Sequence, residues 1–533
     1  MAQVQAFLDA AEDVDIDPET VEDLLGTVSE HQEIDKGTKV QDNSDLDSDH
    51  DSITDKEDLD VLDISALFNN QDADAWTKQE IGHFLRHLKE HGMASFIKKY
   101  VIERKIPIAR LLLAFGVNLC PELQTKRFST LLYFLRVVLS HQLRLRNKLT
   151  QYNTIEDALQ LIRNSQRIIM LTGAGISVSC GIPDFRSKDG IYATLKANGA
   201  YDLDDPQQMF DISYFRENPS VFYSFASKIY PSNFVPSPCH RFIKLVEDKG
   251  KLLRNYTQNI DTLETLAGVQ RVLQCHGSFA TASCLQCRRR VSGTEIETDI
   301  MRHRVPLCTV CNQSPSPVKV KKGKKTKDTW NSDVEDESDV PEYPSGIMKP
   351  DITFFGEKLT DDFDHSLEAD RERVDLLLVI GTSLKVAPVA DILTHLPHSV
   401  PQILINKTPI RHINPDIVLL GNADDIIMHL SRKLGWELPP AKEPSPGQGS
   451  SRPYPSRNNL KKRSMLKEDQ EPQRVGNSHV WLFEGAEGGK WLQEFQEKMI
   501  RNGTPESTQP PSSPEPLNLV DNGVQRVKKQ RTQ

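Results

Sequence analysis

The turn at Gly173 and Gly175 is where residue types and spacing first suggest chemistry. It follows an apolar run at residues 167–171, and only the small Ala174 separates the two glycines. A strand that feeds such a turn lets the backbone come close to a ligand phosphate. Gly181 comes six residues after Gly175, so the spacing of the ordinary dinucleotide-binding fingerprint fails. We therefore expect a nucleotide site, but not that of an ordinary dehydrogenase.

The residues that follow this turn give the expected site a reactive lid. Asp184, Phe185 and Arg186 come directly after Gly-Ile-Pro at residues 181–183. A loop with a carboxylate, an aromatic ring and a guanidinium would lie over whatever the glycine turn holds. This arrangement indicates that the nucleotide is consumed and not merely held.

Four more motifs, rich in polar residues, each follow an apolar run. They are Gln258, Asn259, Ile260 and Asp261 after residues 252–257; His276 after 272–274; Gly381, Thr382 and Ser383 after 376–380; and Asn406, Lys407 and Thr408 after 402–405. The carboxyl ends of parallel strands form the ligand-binding edge of an open sheet. Asparagine and glutamine can hydrogen-bond a carboxamide or a sugar hydroxyl. Taken alone, residues 258–261 could equally be a capped turn.

His276 is the candidate general base of this edge. A lone histidine is more often structural than catalytic, but this one is followed by Gly277 and shares the edge with the other polar motifs. Unperturbed imidazole titrates near pH 6.5, so it can accept a proton from a sugar hydroxyl at about neutral pH.

Four of the eight cysteines are spaced as a metal site. Cys284 and Cys287 form one pair, Cys308 and Cys311 form a second, and twenty residues separate the pairs. Two such turns can place four thiolates around one zinc ion, which leaves no open position for substrate. We therefore expect a structural zinc. The alternative is a redox-active dithiol. The adjacent arginines at 288–290 are either a solvated face or a contact for acidic partners.

The elements that must position these residues alternate along the chain. Apolar runs at 167–171, 252–257, 272–274, 376–380, 402–405 and 417–420 alternate with helical segments, among them residues 155–164 with Thr154 as a possible N-cap. This pattern predicts an α/β fold, in which a Rossmann-like parallel sheet has helices on both faces. A small four-cysteine, zinc-binding lobe would be added to it.

Composition divides the chain into further regions. Residues 1–75 hold 23 Asp and Glu against three Lys, so we expect an acidic disordered tail over 1–72, either solvating or regulatory. Apolar residues at helical spacing over 73–150 predict a helical unit. Residues 151–440 are expected to form the sheet domain. Within the latter the zinc lobe covers about 278–347, including a charged loop at 313–345. Residues 441–533 read as a mostly disordered tail.

Two further local features complete the pattern. Residues 480–486 are short, apolar and β-prone, so we expect a segment at 479–488 to dock on another element. Basic clusters at 321–325, 461–463 and 526–531 could direct nuclear import or be solvated charge. No run approaches the roughly 18 apolar residues of a membrane span, and no signal peptide is apparent, so we expect an intracellular protein without a membrane partner.

Taken together, the motifs resemble the sirtuins, the NAD-dependent protein-lysine deacylases, and within them the nuclear, sirtuin-1-like branch. The resemblance covers roughly residues 150–437. It rests on the following stretches: 173–187, 257–261, 275–277, the four cysteines, 349–357 and 381–386. It implies that the chain binds NAD and one structural zinc ion.

The resemblance also implies roles for individual residues. His276 would be the general base, with Asn259 as its catalytic companion. The NAD-binding residues would be Gly173, Ala174, Gly175, Ser177, Asp184, Phe185, Arg186, Tyr192, Gln258, Asn259, Ile260, Asp261, Gly381, Thr382, Ser383, Asn406, Lys407, Thr408 and Ala423. A substrate peptide would add as a strand between Phe355, Gly356 and Glu357 on one side and Lys385 and Val386 on the other.

The implied reaction is removal of an acetyl group from lysine. It would consume one NAD per lysine and give nicotinamide, free lysine and 2′-O-acetyl-ADP-ribose. Three sequence features depart from the family pattern: a long insert after Cys311, Ala423 where close relatives carry a cysteine, and the pair Lys407 and Thr408.

The resemblance further implies a nuclear protein that regulates transcription on chromatin and could shuttle to the cytoplasm. Its partners would be acetylated histone tails, transcription factors and chromatin-associated proteins, without direct sequence-specific nucleic-acid binding. Two alternatives stay open: an NAD-dependent protein ADP-ribosyltransferase, and a chromatin scaffold that senses NAD without turnover.

Overall fold

The computed structural model describes residues 76–184, 190–193, 205–231, 234–312, 343, 346–358, 360–440 and 471–503, together with Phe7 and Thr20. Most of the acidic tail, most of the charged loop and residues 441–470 therefore lie outside the described residues. So do Phe185 and Arg186 of the expected lid. Within the described ranges, no helix has the length and apolar character needed to cross a membrane.

The first described unit is a set of helices with its own core. They are α1 (Lys78–Phe96), which continues into a π-helical segment (Ile97–Glu103), α2 (Ile108–Ala114), α3 (Pro121–Gln124) and α4 (Phe128–Arg144). Helix α1 begins with a capping box in which Thr77 and Glu80 bond each other's backbone. The apolar faces of α1, α2 and α4 meet around Leu88, Leu111 and Phe134.

An eight-stranded sheet forms the centre of the second unit, in the order β10-β11-β9-β8-β7-β1-β2-β3. Its strands are β1 (Ile168–Thr172), β2 (Leu252–Thr257), β3 (Val272–Gln274), β7 (Leu376–Ile380), β8 (Gln402–Asn406), β9 (Ile417–Leu420), β10 (Gln473–Arg474) and β11 (Val480–Leu482). All pairs are parallel except β10 with β11. The predicted parallel sheet is confirmed, with strand bounds within one residue of the apolar runs.

Helices cover both faces of this sheet. They are α5 (Ile155–Asn164), α8 (Pro238–Asp248), α9 (Leu263–Leu266), α11 (Asp361–Arg371), α12 (Ile392–His395), α13 (Ala423–Leu434) and α14 (Gly489–Gly503). Two further helices, α6 (Ile212–Glu217) and α7 (Pro219–Ala226), share their core with the small lobe described below. Side chains alternate along β1: Ile168 and Met170 join the core beneath α5, α8 and α13, whereas Ile169 and Leu171 join the core beneath α11 and α12. Both faces of the sheet are therefore buried.

Helix α5 shows how local sequence sets one of these elements. It spans the predicted residues, and Thr154 is its N-cap. The Thr154 side chain accepts from the Asp157 N–H, and the Asp157 carboxylate accepts from the Thr154 N–H. This reciprocal pair satisfies backbone donors that the first helical turn would otherwise leave without partners.

The four cysteines belong to a small lobe with a three-stranded antiparallel sheet, in the order β5-β4-β6. The lobe consists of β4 (Gly277–Cys284), β5 (Arg290–Ser292), α10 (Gly293–Met301) and β6 (Met348–Ile352). Its core continues into α6 and α7, where Phe215, Phe222 and Phe354 pack edge to face. The lobe therefore extends from the carboxyl end of β3, next to His276.

The segment at 479–488 lies on an edge of the main sheet. Strand β11 pairs in parallel with β9, and β10 folds back on β11 to make a hairpin. Val480 is fully buried, and the Trp481 indole donates to the carbonyl oxygen of Asn153 at 3.1 Å. Adding this hairpin covers the edge of β9 that would otherwise present unpaired backbone groups.

Candidate functional site

The glycine turn after β1 packs against the turn after β7. The N–H of Gly173 donates to the carbonyl of Ile380 at 3.2 Å, and that of Gly175 to the carbonyl of Gly381 at 2.8 Å. A Cβ at Gly175 would lie 2.8 Å from the Cα of Gly381. These two glycines therefore allow two turns to touch. Because both N–H groups are already bonded, we assign the glycines a packing role that the sequence did not predict.

A chain of hydrogen bonds joins three of the predicted residues behind this turn. The Ser177 hydroxyl donates to Asp261 Oδ2 at 2.6 Å, and the Asn259 amide donates to Ser177 Oγ at 3.1 Å. The same amide nitrogen of Asn259 donates to the carbonyl of Gly173 at 3.2 Å. Asn259 and Asp261 are both buried, so these bonds are shielded from water. The network holds the Asn259 side chain in one orientation.

His276 is oriented by the backbone of the same edge. Its Nδ1 lies 3.0 Å from the carbonyl oxygen of Gln258. Since a carbonyl only accepts, Nδ1 carries the proton of the neutral ring, and Nε2 has a free lone pair. Burial lowers the pKa of His276 below its ordinary value, although the bond to Gln258 opposes this. The imidazole is therefore neutral at physiological pH, and Nε2 can accept a proton.

The ends of β2, β7 and β8 are tied together by side chains. The Thr382 hydroxyl donates to Gln258 Oε1 at 2.7 Å, and the Asn406 amide donates to the carbonyls of Thr382 and Thr408 at 3.0 and 2.8 Å. Three of the four predicted motifs after strands thus meet at one edge.

An open cavity lies beside Asn259 and Asp261. It is lined by Ala174, Ser177, Ile182, Pro183, Ile191, Ile229, Asn259, Ile260 and Asp261. Among the described residues, buried Nε2 of Gln258 and Nε2 of His276 have no hydrogen-bond partner. A buried donor and a buried acceptor without partners are unfavourable unless a ligand supplies them. These atoms lie at the sheet edge that carries Asn259, and they fit a ligand with amide and hydroxyl groups such as NAD.

Other predicted cofactor residues lie around this edge in different settings. The Ile191 N–H donates to the carbonyl of Asp184 at 2.7 Å, which closes the loop that carries the expected lid, and Tyr192 packs on the core of the lobe. Lys407 forms an ion pair with Glu487 of the C-terminal segment. Ala423 is the first residue of α13, and Ser383 is exposed. The contacts expected between these residues and the phosphates and adenosine of NAD stay predictions.

The expected peptide-binding edges already take part in internal contacts. The N–H of Phe355 donates to the carbonyl of Phe210 at 2.8 Å, and its carbonyl accepts from Ile212 at 3.1 Å. Glu357 accepts from Lys349 Nζ and from the Phe354 N–H, both at 2.8 Å. On the other side, the Val386 carbonyl accepts from Ala390 at 3.0 Å. Phe355 and Glu357 are therefore also structural; Gly356, Lys385 and the other backbone groups stay candidates for a substrate strand.

The four cysteines converge as their spacing predicts. Sγ of Cys284 lies 3.7 Å from Sγ of Cys311, and Sγ of Cys287 lies 3.7 Å from Sγ of Cys308. All four sulfurs lie within 4.8 Å of one another. Sulfurs placed about 2.3 Å from a tetrahedral zinc ion are about 3.8 Å apart, so the geometry fits one zinc. The crossed pairing, one sulfur from each Cys-x-x-Cys turn, favours a metal site over a redox dithiol within one motif.

Two candidate functional residues were not predicted from the sequence. His240 of α8 and Glu264 of α9 are fully buried and lie directly behind Asp261. In the sequence each sits in an amphipathic helix among apolar neighbours, with no motif around it. The only available signal was that Glu264 follows Asp261 by one short turn.

Comparison with known proteins agrees with this geometry. The sequence profile of the Sir2 family matches residues 173–388. The chain is 52% identical over 289 residues to NAD-dependent histone deacetylase sirtuin-1 of Drosophila melanogaster, covering 54% of this chain and 34% of that protein. It is 52% identical over 292 residues to NAD-dependent protein deacetylase sirtuin-1 of Homo sapiens, covering 55% and 35%.

A further relative is matched over more of its length. The chain is 41% identical over 379 residues to NAD-dependent histone deacetylase sir2 of Schizosaccharomyces pombe, covering 68% of this chain and 79% of that protein. In contrast, the matched region spans only about a third of the fly and human proteins. The family match at residues 173–388 therefore covers the part of the chain that forms the sheet and the lobe.

Proposed function

Because this chain belongs to the Sir2 family and resembles its sirtuin-1 branch, we propose that it is an NAD-dependent protein-lysine deacetylase. The observation that carries the proposal is His276, a half-buried neutral histidine whose buried Nε2 has no hydrogen-bond partner among the described residues, at the same sheet edge as the fixed Asn259 amide. Cleavage of a sugar bond requires an acid–base residue and a rigidly held amide, and this edge of the sheet supplies both. The relatives named above carry that activity in their names.

NAD, when bound, would supply a ribose carbon that becomes electrophilic as nicotinamide departs. The unpartnered amide nitrogen of Gln258 and the Asn259 side chain would bind and orient it from the ends of β2. Asp261 and Ser177 keep Asn259 from rotating. The apolar lining, including Ile182 and Ile191, excludes water.

His276 would take a proton at Nε2. Its Nδ1–H bond to the Gln258 carbonyl keeps the tautomer that leaves Nε2 free, and it stabilises the positive charge that the ring gains. No serine or cysteine of the chain needs to act as a nucleophile. The zinc ion that the four cysteines would hold has no open position, so its role would be to hold the lobe together.

The decisive assay uses the full chain with an acetyl-lysine peptide, with and without NAD, read by mass spectrometry. We expect loss of the acetyl mass and release of nicotinamide only with NAD. His276→Ala should abolish both, whereas His365→Ala, an exposed histidine on α11, should not. A peptide that keeps its acetyl group and gains the mass of ADP-ribose would establish the transferase alternative instead.

We also propose that the substrates include histones and other nuclear proteins such as transcription factors, and that the protein acts on chromatin in the nucleus. Support comes from the names of the fly and yeast relatives, which are histone deacetylases. Deacetylation of histone tails on purified nucleosomes, together with nuclear fractionation, tests this. Recovery in cytoplasmic fractions would support shuttling.

The helical unit would regulate the sheet unit. Support comes from direct contacts between them: His398 Nε2 lies 2.9 Å from the carbonyl of Leu143, and the His398 N–H donates to the carbonyl of Lys89 at 3.1 Å. Comparison of the full chain with a variant lacking residues 1–150 tests whether turnover depends on this unit.

A further inference from the structure

A trio of buried titratable side chains lies behind the proposed cofactor cavity. His240 and Glu264 have no exposed surface and Asp261 is 4% exposed. A ring nitrogen of His240 and a carboxylate oxygen of each acid all lie within 4.8 Å of one another. Three such groups in a space without water must divide their charges and protons in one favourable way.

The hydrogen bonds of His240 determine its form. Its Nδ1 accepts from the N–H of Ser237 at 3.2 Å, so in the neutral ring the proton sits on Nε2. Among the described residues, Nε2 has no hydrogen-bond partner. Burial lowers the pKa of His240 to about 3, so the ring is neutral over the whole physiological range.

The hydrogen bonds of Asp261 favour it as the anion of the two acids, although burial raises its pKa as well. Its Oδ2 accepts from the Ser177 hydroxyl at 2.6 Å and its Oδ1 accepts from the Leu263 N–H at 3.0 Å. The Ser177 oxygen itself accepts from Asn259, so the serine proton must point to Asp261. With both oxygens accepting, Asp261 needs no proton of its own.

Glu264 must then carry the proton. Its carboxyl group is fully buried, and its contacts with the Thr257 side chain and with its own backbone only partly oppose protonation. Burial, and after it the charge of Asp261, raise the pKa of Glu264 to about 8. Two carboxylates this close in a dry site cannot both be ionised without moving apart.

We propose that Glu264 is a positioning residue that acts by staying neutral: its protonated form lets the neighbouring Asp261 carboxylate remain bonded to Ser177, and through Ser177 keep the Asn259 amide in place. Ionisation of Glu264 would push Asp261 away and release Ser177 and Asn259. The inference rests on the proposed function, since it assumes that Asn259 contacts NAD.

The other titratable groups near the trio do not change charge in the relevant range. Burial raises the pKa of the Cys275 thiol at the end of β3 and of Cys180 to about 12, and that of Cys239 on α8 well above its usual value. Asp424 on α13 is turned toward the Cys239 N–H, which it accepts at 3.2 Å. Glu264 is therefore the group expected to titrate near pH 8.

The first test measures NAD binding by calorimetry to the full chain between pH 7 and 9. At pH 9 only about a tenth of wild-type Glu264 would be neutral, so affinity should fall about tenfold. Glu264→Gln, a permanently neutral isostere, should keep its affinity across this range. Glu156→Gln, on the exposed face of α5, is the matched control and should follow the wild type.

The second test needs neither NAD nor turnover. A raised pKa means that folded Glu264 keeps its proton above pH 4.5 whereas the unfolded chain loses it. Its contribution to stability is therefore full below about pH 4.5 and is lost as pH rises through about 8. The unfolding temperature of Glu264→Gln should lack this part of the pH dependence. If that variant does not fold, the wild-type binding titration alone decides.

The proposal would be overturned by equal pH dependence of NAD binding in the wild type and in Glu264→Gln. It would also be overturned by a bound metal: elemental analysis giving two metal ions per chain, with one lost in Glu264→Gln, would make the trio a ligand set. A chain that shows the expected binding and unfolding behaviour but leaves acetyl-peptides unchanged would refute the proposed function and support this inference.

Discussion

Arg146 and Asp416 form a buried ion pair in which guanidinium Nη2 lies 2.7 Å from carboxylate Oδ2. Their side chains are 7% and 0% exposed. Arg146 also donates to the carbonyls of Val400 and Asn414, and Asp416 accepts from the N–H groups of Leu149 and Gln402. One ion pair thus joins the chain that leaves α4 to the start of β8 and of β9.

Removing one partner of this pair is expected to destabilise the protein strongly. Arg146→Ala leaves the Asp416 carboxylate buried without its countercharge, which should lower the free energy of unfolding by about 3–5 kcal/mol. Denaturant titration measures this. Arg163→Ala, at the exposed end of α5, should change it by less than about 0.5 kcal/mol. Equal effects of the two variants would show that the pair is not a major contact.

The form of His276 predicts the pH dependence of turnover. Only the neutral ring can accept a proton, and burial holds the pKa of His276 below 6.5. Measured kcat/KM should therefore be constant through pH 7 and fall on the acid side, with an apparent pKa below 6.5. His276→Ala should lower turnover by about 10²–10⁴-fold without changing the unfolding temperature by much. An acid limb centred above pH 7 would contradict this role of His276.

The geometry of the cysteines predicts one zinc ion per chain. Cys308→Ala removes one of four ligands, so we expect zinc content to fall from one equivalent to near zero and the lobe to lose its protection from proteolysis. Cys120→Ala, in the helical unit, is the control and should retain full zinc. Because the lobe carries the strand next to His276, turnover should fall together with zinc.

Gly421 is expected to be required for docking of the C-terminal hairpin. Its φ is +149°, and a Cβ there would lie 2.7 Å from Cβ of Phe483 and 2.9 Å from the carbonyl oxygen of Glu484. Gly421→Ala should therefore lower the free energy of unfolding by about 1–3 kcal/mol and expose residues 471–488 to protease.

The variant Gly435→Ala separates backbone strain from steric overlap as causes of the effect expected for Gly421→Ala. Gly435 has a φ of +70° but nothing within 4 Å of an added Cβ, so only backbone strain should act. Its hairpin should stay as resistant to protease as that of the wild type. Faster cleavage of the hairpin in Gly435→Ala than in Gly421→Ala would refute the steric explanation.

Several features followed from the sequence because local chemistry decides them. Short strand-like runs predicted β1, β2, β7, β8 and β9, since strands buried on both faces are rich in apolar residues. The cysteine spacing predicted four converging sulfurs because each turn can point two thiolates at one ion. Polar residues after the strands predicted the edge at which Asn259, His276 and Thr382 meet.

Tertiary structure alone decided the relationships between distant segments. Gly175 proved to pack on Gly381, Arg146 to pair with Asp416, and Glu264 to lie behind Asp261 next to His240. No local sequence pattern predicts such pairs. Strand order and helix packing decide which side chains share a buried space. The charge of a buried group depends on that space too, so the sequence could name Asn259 and Asp261 but not the neutral Glu264 that is proposed to keep them in position.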